Sequence, residues 1–241
     1  MTSLLVTEGL TKHFAGLVAN EAIDFDLEAG SIRCIIGPNG AGKTTFISMI
    51  SGHQRPTSGR IVYKGEDVTA LSVVKRARIG IARKFQTPTV FDNLSVHDNV
   101  ELAVLGSRRP RSQREARILE VLDLIRLAEQ RDQPVRFLSH GQRQWLEVGM
   151  LIAIEAELLL LDEPTAGMTA EETASTARLV RRLAEDLGHS VIIIEHDINF
   201  IRDLKAPVTV LHMGRVLLEG SFETVAANEQ VREVYLGHEA A

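Results

Sequence analysis

Cysteine occurs once, as Cys34, in a chain of 241 residues. A lone cysteine excludes an internal disulfide and suits a reducing compartment. It falls in the apolar stretch Ile32-Arg33-Cys34-Ile35-Ile36, which predicts a plain buried thiol. Long apolar runs are also missing. The longest, such as Leu151-Ile152-Ala153-Ile154, stop well short of the ~20 residues that cross a bilayer. Any membrane link is therefore expected to run through a partner. The opening residues, Met1 to Glu8, carry neither a basic region nor a long apolar stretch, so no secretion signal is expected there. A basic excess is lacking too. The net charge of −5 opposes the footprint of a nucleic-acid binder, and no nucleic-acid partner is expected. No internal repeat or low-complexity segment stands out. What is present is 44% hydrophobic residues, enough for a substantial core.

The chain is organised around Gly37-Pro38-Asn39-Gly40-Ala41-Gly42-Lys43-Thr44. This is the Gly-x-x-x-x-Gly-Lys-Thr pattern of a phosphate-binding loop. Its glycines allow a tight turn in which successive N–H groups point inward at a phosphate chain. Lys43 supplies a charge for the outer phosphates, and the Thr44 hydroxyl, with Thr45 beside it, suits a nucleotide-bound Mg²⁺. A helix is expected from Thr44, its positive end facing the anion. The context fits: Ile32 to Ile36 reads as a buried strand, and Phe46, Met49 and Ile50 share one helical face.

Residues 4–30 read as sheet, because Ile23, Phe25 and Leu27 alternate with Asp24, Asp26 and Glu28. Phe14 lies in a polar setting upstream. Its position alone leaves open a base-stacking aromatic and a core residue. Arg60 to Tyr63, between turn signals, predicts an antiparallel edge strand. Gln86 precedes Pro88, which disfavours helix, so a loop is expected there. Residues 95–150 read as helical. Ser95-Val96-His97-Asp98 resembles a capping box, and Ile118, Val121, Leu122 and Ile125 form an apolar stripe. Arg108, Arg109, Arg111 and Arg114 read better as a solvated linker and helix face than as a binding patch. A further helix is predicted from Arg143 to Ile154. Thr169-Ala170-Glu171-Glu172 is another capping box, opening a helix that Gly188 closes. Val208 to Leu218 predicts a hairpin turning at Met213-Gly214, followed by a short tail helix.

Three apolar strands end in polar residues: Ile36 at the loop, Leu161 at Asp162-Glu163, and Ile194 at Glu195-His196. Ligands of open parallel α/β sheets bind beyond the carboxyl ends of strands, so the three ends are read as one site. Asp162 fits a carboxylate on the Mg²⁺ side, and Glu163 fits a proton acceptor for attacking water. His196 faces the same crevice and is a candidate contact for the terminal phosphate.

These residues resemble the ATP-binding subunits of ABC transporters over nearly the whole chain. Leu138-Ser139-His140-Gly141-Gln142 resembles the family's signature motif, with His140 where glycine is usual. The resemblance assigns Gln86 to the loop glutamine, as a catalytic and Mg²⁺-side residue. It assigns Asp162 to the magnesium aspartate, Glu163 to the catalytic glutamate, His196 to the switch histidine and Phe14 to the adenine-stacking aromatic. It implies an α/β fold: a P-loop ATPase core with a parallel sheet, an antiparallel β subdomain and a helical signature-motif subdomain. The whole of 1–241 would be one ABC ATPase domain, with 1–86 and 155–241 as core and 87–154 as the helical part. ATP and Mg²⁺ are the implied cofactors. The implied partners are transmembrane permease subunits, a second ATP-binding subunit bound head to tail, and, indirectly, a substrate-binding protein. The implied location is the cytoplasmic face of the inner or plasma membrane. In the head-to-tail arrangement Ser139 and the N–H groups of its helix meet ATP held by the partner's loop.

A second departure is Thr169, where the family usually has aspartate. Both departures, with Arg83 to Phe91 and Gln144-Trp145-Leu146-Glu147, look like the urea-importer ATP-binding subunit (UrtD type), close to the branched-chain amino-acid importers. The alternatives are a branched-chain amino-acid importer ATPase, a chromosome or repair ATPase, and a metabolite kinase. The span from Thr45 to Ser139 is too short for the long coiled coil of the repair class, and a self-contained kinase has no use for a signature motif.

Overall fold

The computed structural model describes residues 3–84, 90–107 and 109–236. The chain opens with two long strands, β1 (Ser3–Phe14) and β2 (Leu17–Glu28). Along β2, Ile23, Phe25 and Leu27 are buried while Asp24, Asp26 and Glu28 are exposed, the expected period of two. Next come β3 (Ile32–Ile36), α1 (Lys43–Ile50), β4 (Ser58–Tyr63) and the two-residue β5 (Glu66–Asp67). The first sheet is antiparallel with strand order β2-β1-β4-β5. The strand expected at its edge, β4, is therefore not the edge. Lys64 and Gly65 both take positive φ, 53° and 80°, which turns the chain back and lays β5 along β4.

The chain continues through α2 (Val73–Arg78) and β6 (Ile81–Lys84), then α3 (Val96–Leu105), α4 (Arg114–Leu124) and α5 (His140–Ala153). It then alternates: β7 (Leu158–Asp162), α6 (Ala170–Glu185), β8 (Ser190–Ile194), α7 (Ile198–Leu204), β9 (Val208–His212). The hairpin strand β10 (Arg215–Gly220) and the short helices α8 (Phe222–Ala227) and α9 (Glu229–Leu236) complete it. The second sheet has the order β10-β9-β3-β8-β7-β6, parallel throughout except at β10. The fold class is thus the one the sequence implies, a parallel-sheet core with an antiparallel sheet and added helices.

Every residue of β7 and β8 is buried, which explains why they read as unbroken apolar runs. Alternate side chains serve two cores. Leu158, Leu160, Ile192 and Ile194 pack with α1 and the antiparallel sheet. Leu159, Leu161, Val191 and Ile193 pack with the helices, whose stripe Ile118, Val121, Leu122 and Ile125 joins the same core. Each such side chain contributes roughly 1.5–3 kcal/mol by leaving water. Cys34 is buried among them, and burial pushes its thiol up to about 12, so it is inert as expected.

Local signals set the helix starts. Ser95 and Thr169 form complete capping boxes with Asp98 and Glu172. Ser139 does the same with Gln142, so α5 begins at His140, three residues before the expected Arg143. The strand β6 was not expected: its Arg83 and Lys84 disguise it, and both are buried because each has an acidic partner. Of the basic run, Arg109 pairs with Glu155 at 2.5 Å, and Arg108 lies outside the described residues.

Candidate functional site

The loop after β3 is held open by its neighbours. Gly37 has φ 151°, and a Cβ there would overlap the Leu211 carbonyl oxygen. Gly42 has φ 95°, and a Cβ there would overlap Ala19 and Asn20. Only glycine fits both places. Asn20 on β2 donates from Nδ2 to the Gly42 carbonyl at 3.2 Å, and Gly214 N–H donates to the Ala41 carbonyl at 3.1 Å. Gly42 is the N-cap of α1 and supplies no side-chain cap, so the helix's first N–H groups are left to another acceptor. The helix starts at Lys43, one residue before the expected Thr44. Pro38 is half-buried and Ala41 buried, Thr45 is half-buried, and Asn39, Gly40 and Thr44 are exposed along the mouth of the loop.

Lys43 turns its ammonium back into this loop. Nζ donates to the carbonyls of Gly37 at 2.6 Å and Pro38 at 3.0 Å. Burial pushes its pKa down, opposed by the charges of Glu163 and Asp162. The strand register puts those two residues at the same end of the sheet as the loop: Asp162 lies opposite Ile194 on β8, and Ile194's neighbour on β3 is Ile35, two residues before Gly37.

Asp162 is 1% exposed at its side chain and pairs through Oδ2 with Arg83 of β6 at 2.9 Å. Its Oδ1 is buried with no hydrogen-bond partner. Glu163 has φ 48°, an unusual value for a residue with a side chain. Its N–H donates to the Ile194 carbonyl at 2.9 Å, and its Oε1 stands 3.4 Å from His196 Nε2. His196 is exposed, so this pair faces solvent at the end of β7 and β8. Strand ends thus bring Gly37–Thr44, Asp162, Glu163 and His196 together.

The structure places Phe14 and the Ser139–Gln142 segment elsewhere. Phe14 is 40% exposed at the tip of the β1–β2 hairpin, with Lys12 Nζ 4.9 Å from its ring. That excludes the core reading of this aromatic. Ser139 and His140 are exposed at the start of α5. Ser139 Oγ accepts from Gln142 N–H at 3.2 Å and donates to Glu172 Oε1 at 3.3 Å. His140 Nε2 donates to the Ala166 carbonyl at 2.8 Å, lying over Gly167, whose φ is 74°. Gly141 sits close to Glu172: a Cβ there would meet its carboxylate, which would have to shift. Among the described residues, these bonds tie Ser139–Gln142 to the 166–172 segment, and none reaches the 37–44 loop. Gln86 lies outside the described residues.

The profile of the ABC transporter family matches residues 20–166. The chain belongs to the ABC transporter ATP-binding family. A second profile, for branched-chain amino acid ATP-binding cassette transporters, matches residues 215–241. A probable branched-chain amino acid transport ATP-binding protein LivG of Archaeoglobus fulgidus is 34% identical, over 97% of this chain and 95% of that protein. The lipopolysaccharide export system ATP-binding protein LptB of Acidithiobacillus ferridurans is 35% identical, over 98% of each. Among solved structures, the dimeric post-hydrolysis state of the ATP-binding cassette MJ0796 bound to ADP and Pi superimposes with a TM-score of 0.80 at 25% identity, covering 90% of this chain and 98% of that one.

Three residues of this ABC chain have no role assigned by the motifs. Asn20 braces the loop, Arg83 holds Asp162, and Glu195 binds the turn after Glu163. Glu195 is buried, and its Oε1 accepts from both N–H and hydroxyl of Thr165, at 2.9 and 2.5 Å. Its Oε2 accepts from His196 N–H at 3.0 Å. It thereby fixes the two segments that carry Glu163 and His196. Its place between Ile194 and His196 was the only hint in the sequence.

The site fits a metal-bound nucleotide. An ABC cassette binds ATP, and the uncapped N-terminus of α1 with Lys43 beside it suits phosphate. The orphaned Oδ1 of Asp162 and the exposed Thr44 suit a hard cation with oxygen ligands.

Proposed function

We propose that this chain hydrolyses ATP to ADP and phosphate and so powers an ABC importer. The observation that supports it most is the junction of Lys43, Asp162, Glu163 and His196 at one sheet end. Gly37, Pro38, Asn39, Gly40, Ala41 and Gly42 wrap the phosphates with backbone N–H groups, while Phe14 stacks on the base. Lys43 leaves its two loop carbonyls for phosphate oxygens, and Thr45 adds its hydroxyl. Thr44, Asp162 and Gln86 hold Mg²⁺, which neutralises charge on the phosphates when bound. Glu163 accepts the proton of the attacking water at Oε1, and His196 positions that carboxylate and meets the terminal phosphate. Ser139, His140, Gly141 and Gln142 serve the nucleotide of a second ATP-binding subunit, most simply a paralogue, in a head-to-tail pair. The division into a core, 1–86 and 155–241, and a helical part, 87–154, belongs to this reading.

No helix among the described residues is long and apolar enough to cross a membrane. Attachment to the cytoplasmic face therefore goes through permease subunits. Phe91, Leu94 and Phe137 are large, apolar and exposed on two segments paired by the bonds Val135 N–H to Leu94 carbonyl and Arg136 N–H to Asp92 carbonyl, each 3.0 Å. They suit a permease contact. We assign urea as cargo, from the resemblance carried by His140, Thr169 and Trp145, with a substrate-binding protein acting indirectly. The match at residues 215–241 favours the second reading, a branched-chain amino-acid importer. Copurification of this chain with its permease from membranes, followed by uptake of labelled urea and leucine, decides. Urea uptake lost in Glu163→Gln supports the first reading. Loss of leucine uptake alone supports the second.

A further inference from the structure

Arg83 opens one of the stretches that carry the importer resemblance, with no role assigned to it there, yet it touches the candidate metal carboxylate. Arg83 lies opposite Leu160 in the β6–β7 register, and Leu160 and Asp162 share a face of the sheet. The guanidinium therefore reaches Asp162 from the side. Nη2 donates to Asp162 Oδ2 at 2.9 Å, and Nη1 donates to Ser48 Oγ at 2.6 Å. The Ser48 hydroxyl in turn donates to the Thr44 carbonyl at 2.5 Å. A chain of hydrogen bonds, with Arg83 donating to both of its neighbours, thus links one candidate metal ligand, Asp162, to the backbone of another, Thr44. The side chains of Arg83 and Asp162 are 6% and 1% exposed, so water does not compete for them.

A buried carboxylate normally has both of its oxygens hydrogen-bonded. Here Asp162 Oδ1 is left buried with no hydrogen-bond partner. A buried acceptor without a donor costs stability, and at a carboxylate beside the phosphate loop a cation would supply the missing partner. We propose that Arg83 is a positioning residue for the metal-binding carboxylate. It locks Oδ2, leaves Oδ1 for Mg²⁺, and through Ser48 sets the distance between Asp162 and Thr44. The inference rests on the reading of Asp162 and Thr44 as Mg²⁺ ligands. Arg83 need not withdraw when the cation binds, because its bond to Asp162 is made to Oδ2, not Oδ1. Partners that orient metal ligands are worth 10- to 100-fold in metal affinity, roughly.

The test uses Arg83→Lys in the full chain. Lysine keeps the charge but loses the planar fork that serves two acceptors at once. Binding of the fluorescent nucleotide trinitrophenyl-ATP is titrated in EDTA and at stepped MgCl₂ concentrations, with circular dichroism as the check of folding. In the variant the Mg²⁺ concentration giving half of the metal-dependent signal should rise about 10- to 100-fold. Affinity in EDTA should stay within about twofold, since the loop itself is intact. Ser48→Ala should shift Mg²⁺ dependence in the same direction by less, and it decides the matter if Arg83→Lys does not fold. Wild-type Mg²⁺ dependence in the folded variant overturns the inference. So does an equal loss with and without Mg²⁺, which would place Arg83 in general support of the loop. If the unaltered chain shows no Mg²⁺-dependent nucleotide binding, the metal-ligand reading falls, and the inference with it.

Discussion

The N-termini of α1 and α5 are built in opposite ways. The first, α1, has a glycine N-cap and no side-chain cap, and a buried lysine stands beside it. Its loop is braced by Asn20, Leu211 and Gly214, residues from distant parts of the chain. The second, α5, is capped by its own Ser139 and Gln142. It leans on the 166–172 segment through Glu172 and His140 and is exposed. One N-terminus is held ready for an anion. The other has spent its capping groups on its own chain. On the proposed reading, the difference teaches that one chain carries a nearly complete phosphate site and a signature left for another nucleotide.

The comparison can be broken first on the loop side. Glu163→Gln removes the proton acceptor and leaves the α1 terminus untouched. Hydrolysis should fall by about 100- to 10,000-fold while nucleotide binding stays near normal. Parallel measurements of phosphate release and of nucleotide binding check this, and parental turnover would require another base. Lys43→Ala removes the charge from the same terminus. Nucleotide affinity should fall by roughly 10- to 100-fold, the worth of a charge-assisted hydrogen bond. Unchanged affinity in a binding titration would remove the phosphate-loop assignment.

Much of this contrast was legible in the sequence. Glycines at Gly37 and Gly42 announced a backbone that no Cβ permits, and Thr169 with Glu172 announced a helix start. Strand β6 was not legible, because Arg83 and Lys84 pair with Asp162 and Glu147, far away in sequence. Asn20 and Glu195 were missed for the same reason. Their work is to brace turns contributed by other segments, and no spacing records it. The edge position expected of β4 failed on two residues, Glu66 and Asp67, too short a run to read as a strand. Phe14 could not be placed from position alone, since exposure is a tertiary property.

The signature side gives smaller effects. Glu172 accepts from Thr169 N–H at 2.9 Å, Thr169 Oγ1 at 3.1 Å and Ser139 Oγ at 3.3 Å. These bonds, the Thr169 backbone bond first, hold its carboxyl below the usual 4.5. A carboxylate whose folded value is lowered adds stability that is present above its unfolded value. That stability is lost as pH falls through the folded value. Glu172→Gln should therefore melt slightly lower at pH 7, by less than about 1 kcal/mol of stability. The gap should narrow as pH drops below the ordinary carboxylate range. Thermal melts of both proteins from pH 7 to pH 4 check it, and a gap that does not change with pH would mean that charge on Glu172 is not what ties α5 to α6.

The central claim is that the signature of this chain serves a nucleotide held by another. Ser139→Arg in this chain alone, in the assembled transporter, tests it most directly, with a labelled nucleotide followed at each site. The account predicts a defect at the site formed by the partner's phosphate loop, with the Lys43 site of the altered chain still binding. A defect confined to that Lys43 site would contradict it.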